Sequence, residues 1–111
     1  MDKIVFRGDI FTTDLGRGIG SEHSGVKYCL VIQNDKGNQH STTTVIIPIT
    51  SERKNMCTHV EIKGVLPKTS YVMCEQIRVV DMKRLKNRVA RLPDEDMLEV
   101  KRKMWIQLGI K

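Results

Sequence analysis

The chain has 111 residues, 40% of them hydrophobic and 29% charged, with a formal net charge of +6. That length suits one domain spanning 1–111, and the composition excludes a disordered or fibrous chain. No apolar run approaches the roughly 20 residues that span a bilayer, and MDKIVFRGDIF has no signal-peptide core, so a cytoplasmic protein away from membranes is expected; a pI near 9.4 favours a polyanionic partner such as nucleic acid or an acidic protein segment.

Ile4 to Leu15, which contains RGDIFTTDL, is predicted as a strand rich in β-formers. Gly16 to Gly25 is a loop. Val26 to Asn34 is almost continuously apolar, so a strand buried on both faces is expected. Asp35-Lys36-Gly37-Asn38 reads as a turn by composition. Thr42 to Ile49 is a β-branched run in which Pro48, having no N–H, predicts an edge strand or a bulge. Cys57 to Ile62 alternates and reads as a strand. Ser70 to Val80 reads as one long strand or two joined by a bend. A short helical turn over Asp81 to Leu85 and a weak strand over Arg88 to Leu92 follow.

The one strong helix is terminal, in PDEDMLEVKRKMWIQLGIK. Pro93 suits a first turn, and Asp94, Glu95 and Asp96 suit the positive end of the helix dipole. Met97, Val100, Met104 and Leu108 form an apolar stripe flanked by Trp105, and Gly109 suits a C-cap. Lys101, Arg102 and Lys103 read as the solvated face, with Glu99 spaced to pair with Lys103. Many short strands and one helix predict a mainly-β fold, a small β-barrel with a C-terminal α-helix.

Cys29, Cys57 and Cys74 form no CxxC pair, and His23, His40 and His59 are scattered. The cysteines read as small buried hydrophobes rather than metal ligands, so neither a metal nor a cofactor is expected. Gly16, Gly18 and Gly20 are spaced GxGxG and run into a strand. A phosphate loop needs a helix N-terminus there, so these glycines are expected to supply positive φ angles instead. Polar residues remain at the strand ends: Ser21, Glu22, His23, Lys27, Thr50, Ser51, Glu75, Gln76 and Arg78. Set in apolar text, they must find partners or line a groove.

The segments RGDIFTTDL, GSEHSG, LVIQND, VIIPITS, THVEI, EQIRVVD followed by KRL, and a last helix ending LGI make the chain resemble the MazF/PemK toxins of bacterial toxin–antitoxin pairs. The resemblance covers nearly the whole chain. It implies an SH3-like β-barrel of the PemK/CcdB kind and a homodimer. It also implies metal-independent cleavage of single-stranded messenger RNA to 2′,3′-cyclic phosphate and 5′-hydroxyl ends, inhibited by a MazE-like antitoxin with an acidic C-terminal segment.

The family's key pair is an arginine at a strand start and a threonine after the third apolar run. Thr50 matches the threonine. The usual Arg-Pro is here Lys27-Tyr28. Lysine keeps the charge but loses the planar fork that grips phosphate in two places. His23 stands where glutamine usually follows Ser-Glu. With an ordinary value near ~6.5, a histidine there is either an acid/base group or an exposed loop residue. Ser21, Glu75 and Gln76 match base-contacting positions, and Glu22 and Ser51 complete an RNA-binding rim. Arg78 is a candidate for phosphate contact or for pairing with Asp81, and His59 reads as structural. The alternative to an enzyme is a toxin-fold binding protein, such as a CcdB-like gyrase inhibitor, that acts without cutting RNA.

Overall fold

The computed structural model describes residues 4–17 and 25–110. In chain order the elements are β1 (Asp9–Asp14), β2 (Val26–Val31), α1 (Asp35–His40), β3 (Thr43–Thr50), β4 (His59–Ile62), β5 (Ser70–Met73), β6 (Arg78–Asp81), β7 (Leu85–Arg91) and α2 (Asp94–Leu108). Short 3₁₀ turns over Cys74–Gln76 and Met82–Arg84 join β5 to β6 and β6 to β7. The seven strands form one antiparallel sheet in the order β4-β5-β3-β2-β1-β7, with β6 added on β3. The mainly-β architecture with a C-terminal helix is as expected. The sheet is not a closed barrel: among the described residues no ladder joins β4 to β7. No helix of the described residues is long and apolar enough to cross a membrane.

Successive side chains of a strand point to opposite faces, and here each face meets its own core. Leu30 of β2 packs with Ile10, Ile47 and Ile49, under Val100 and Met104 of α2. Its neighbours Cys29 and Val31 pack with Phe11, Ile46, Val80 and Leu85 on the other side. This double cover explains the continuous apolar text of β2. It does not reach the strand's start, where Val26 and Lys27 are exposed. The two buried cysteines behave as apolar groups: burial pushes the Cys29 thiol up to about 11, against the opposing influence of Thr13 and Arg78, and burial pushes Cys74 to about 12.

Pro48 lies in an interior strand, not at an edge. It stands opposite Cys29 of β2. On its other side β3 changes partner, pairing with β6 through Thr43–Ile46 and with β5 through Ile49–Thr50. Proline therefore falls where one ladder has ended and the next has not begun, and its missing donor costs little there.

The expected turn at Asp35 is instead the helix α1. Asn34 caps it by accepting from Gly37 N at 2.8 Å. The buried Asn38 ties it down: its Oδ1 accepts from Thr44 Oγ1 at 2.7 Å and from Gln33 Nε2 at 3.0 Å. In α2, Pro93 is the N-cap residue rather than part of the first turn, and Gly109 closes the helix at φ +70°. Leu108 departs from the expected apolar stripe: it is 59% exposed, whereas Met104 is 8%, so the last turn runs past the core. Glu99 pairs with Arg102 at 2.7 Å rather than with Lys103, and Lys101 lies 5.0 Å over the Trp105 ring.

The RGD segment is structural. The Asp9 carboxylate is buried and accepts from Arg88 Nε at 2.9 Å, Arg91 Nη1 at 3.3 Å and Phe6 N at 3.0 Å. The β1–β2 connection is closed at its base by two backbone bonds. Leu15 N donates to Gly25 O and Gly25 N to Gly16 O, both at 2.8 Å. Gly16 and Gly25 adopt φ +68° and +76°, a region that side chains disfavour. Gly18 and Gly20 lie outside the described residues.

Candidate active site

Two strands set the centre of the site. β2 and β3 are paired through Tyr28–Ile49, and the same register carried one step further sets Lys27 across from Thr50. Both residues line an open cavity of about 550 Å³ with Ser51, Tyr28, Thr12 and Ile49. Its remaining wall comes from Glu52 and from the segment that leads into β5, including Leu66, Pro67, Lys68 and Ser70. Lys27 is exposed and Thr50 half-buried, as suits groups that must meet a large ligand. Thr50 Oγ1 accepts from Glu52 N at 3.1 Å. That bond occupies an acceptor site on the hydroxyl and leaves its proton free to be donated into the cavity.

Residues 6–108 match the sequence profile of the PemK-like, MazF-like toxins of type II toxin–antitoxin systems. The chain belongs to this family. Among solved structures it is similar to MazF from Deinococcus radiodurans, with 23% identity, a TM-score of 0.88 and coverage of 97% of this chain and 99% of that one. It is also similar to an endoribonuclease in complex with its cognate antitoxin from a mycobacterial species, with 23% identity, a TM-score of 0.84 and coverage of 96% and 97%. At these identities the structural likeness speaks for the fold.

In this PemK/MazF-like toxin the cavity gathers three of the sequence candidates: Lys27, Thr50 and Ser51. Ser21, Glu22 and His23 lie outside the described residues. Glu75, Gln76 and Arg78 do not line the cavity. Glu75 and Gln76 belong to the 3₁₀ turn, and Arg78 stands on β6 opposite Ile46. Asp81 uses Oδ1 to accept from Lys83 N at 2.8 Å, capping the second 3₁₀ turn. The cavity also contains Glu52 and Lys68, which sequence reasoning missed. Glu52 had a signal, since it follows Thr50-Ser51 directly. Lys68 had none in its local text and reaches the cavity through the pairing of β5 with β3.

The turn holding Glu75 is braced from β4. Glu75 Oε1 accepts from Thr58 Oγ1 at 2.8 Å, and Oε2 lies 2.9 Å from His59 Nε2. An ionised carboxylate only accepts, so Nε2 carries the hydrogen. The His59 side chain is 4% exposed, and its Nδ1 has no hydrogen-bond partner among the described residues. Burial raises the Glu75 pKa, but hydrogen bonds from His59, its own backbone and Thr58 outweigh it, and the net value is below the ordinary 4.5. A carboxyl whose folded value is depressed stabilises the fold fully above its unfolded value. That contribution disappears as pH falls through the folded value. Glu75→Gln should therefore melt below wild type at neutral pH, and the gap should narrow as pH falls through and below the ordinary carboxyl value of 4.5. Thermal melts on both sides of that value test this, and a gap independent of pH would refute it.

Proposed function

We propose that this chain is a sequence-selective, metal-independent endoribonuclease that cleaves single-stranded messenger RNA in the cytoplasm. Its products are 2′,3′-cyclic phosphate and 5′-hydroxyl ends. It works as a homodimer and is restrained by a cognate antitoxin bearing an acidic segment, which suits a chain of net charge +6. The observation that carries the reading is that Lys27 and Thr50, each one step beyond the paired Tyr28 and Ile49 of β2 and β3, line one open cavity. Family membership supports both the activity and the antitoxin.

The chemistry needs positive charge at the phosphate, a hydroxyl donor and proton transfer. The 2′-oxygen loses its proton and bonds to phosphorus, the bond from phosphorus to the 5′-oxygen breaks, and that oxygen gains a proton. Lys27 offsets the charge that builds on the phosphorane. Thr50, its oxygen already held by Glu52 N, donates to a non-bridging oxygen. His23 is the acid/base candidate. Ser51 contacts the RNA at the rim, and the turn carrying Glu75 and Gln76, with Arg78 beyond it, contacts RNA outside the cavity.

Incubating the purified toxin with a long RNA in EDTA, then mapping the new ends, tests the reading. The expected result is cleavage at a recurrent short sequence with cyclic phosphate ends. Cleavage abolished by EDTA and restored by magnesium would overturn metal independence. Tight RNA binding with no cleavage would favour a binding protein instead.

A further inference from the structure

Among the described residues, two cations line the cavity. Lys27 enters from β2, and Lys68 from the segment between β4 and β5. Among the described residues the same lining holds one carboxylate, Glu52. Lys27 and Glu52 alone would leave it electrically balanced, and a balanced lining does little to draw a phosphodiester out of water. Lys68 makes the lining that the described residues form net positive.

The backbone under Lys68 is held from both sides. Leu66 is anchored in the core at 9% exposure, and Pro67 fixes its own φ. Ser70, buried at the start of β5, donates from Oγ to the Lys68 carbonyl at 2.8 Å. β5 then pairs with β3 through Tyr71–Thr50. The sheet order β5-β3-β2 sets the two lysines on either side of the strand that ends in Thr50. The lysine stem is exposed and flexible, so its ammonium can follow a charge that moves during reaction.

We propose that Lys68 is a second catalytic cation, contacting the scissile phosphate from the side of the cavity opposite Lys27. This rests on the endoribonuclease reading above. When the 2′-oxygen has bonded to phosphorus and the 5′-oxygen has not yet left, the phosphate group carries one more negative charge than the diester did. Lys68 meets that added charge. It moves no proton and needs no co-reactant.

The test is single-turnover cleavage of a defined RNA, beside equilibrium binding of the same RNA and thermal melting, for wild type, Lys68→Ala, Lys68→Arg and Lys86→Ala. Lys86 is an exposed cation of the edge strand β7 and does not line the cavity. Lys68→Ala should slow cleavage by about 10²-fold, the lower range for losing one preorganised donor. Its affinity and melting temperature should stay near wild type, Lys68→Arg should recover most of the rate, and Lys86→Ala should cut normally. Wild-type speed in Lys68→Ala, with wild type active, overturns the role of Lys68 alone. A loss confined to affinity makes it a groove charge and also overturns the proposal. An inactive wild type overturns the endoribonuclease reading, and this proposal falls with it.

Discussion

Lys27→Ala should lower the single-turnover rate of RNA cleavage by about 10²–10³, the usual cost of removing one preorganised charge-stabilising donor. RNA affinity should change far less, because the proposed role of the ammonium is to meet charge that appears only in the transition state. Lys27 is exposed at the start of β2, so the variant should fold and melt like wild type. Thr50→Ala should fall in the same class, because the hydroxyl that Glu52 N orients is lost. Lys27→Arg keeps the charge and adds the planar fork, so activity should be kept or raised if the neighbouring Tyr28 leaves room. A groove cation would behave differently. Its removal would weaken binding across all RNA sequences and reduce the salt slope by about one. Single-turnover rates measured beside a salt titration of binding separate the two. A Lys27→Ala variant that cuts as fast as wild type would move the catalytic work to another group, with His23 and Arg78 next to test.

Leu30→Ala should be the costliest change to the fold. The side chain has 0% exposure and sits between Ile10 of β1 and Ile47 of β3, its partners on either side. Three central strands therefore meet at one residue, and none can close the gap without disturbing its own ladder. Removing a buried leucine beyond Cβ typically costs 2–5 kcal/mol, from lost transfer energy plus the cavity left behind. For a domain of this size that corresponds to a fall of roughly 10–30 °C in melting temperature. Leu98→Ala, at a site 67% exposed on α2, should move stability by no more than about 0.5 kcal/mol. Denaturant titrations of both variants check the contrast. A Leu30→Ala protein as stable as Leu98→Ala would show that the core in which Leu30 sits does not hold the sheet together.

Local text was enough for most strands because their β-branched runs and period-two patterns are local facts. The bend between Ser70 and Val80 was legible because Glu75 and Gln76 interrupt an apolar run, and a 3₁₀ turn lies there. α1 was not legible. Asp-Lys-Gly-Asn is turn chemistry by composition, and what makes it helical is the cap from Asn34 together with the buried bonds of Asn38 to Thr44 and Gln33, which are tertiary. The open sheet was illegible for a similar reason: whether the two end strands pair depends on no local pattern. In the site, Thr50 and Lys27 stood out because the resemblance pointed to them. Lys68 did not, because its place in the cavity depends on which strand lies beside β3, a long-range choice that neither periodicity nor composition encodes.

The two hydrogen bonds between Leu15, Gly16 and Gly25 have a consequence for how such a site can diversify. They seal the β1–β2 connection at its base, so the register that sets Lys27 opposite Thr13 is fixed outside the connection itself. Arg84 reinforces the seal from elsewhere in the chain, donating to Asp14 O at 3.2 Å. A change of length between the two glycines need not shift the pairing of β1 with β2. Loop closure grows only slowly more costly with length. Selection can therefore rewrite or lengthen the connection without moving Lys27 along its strand.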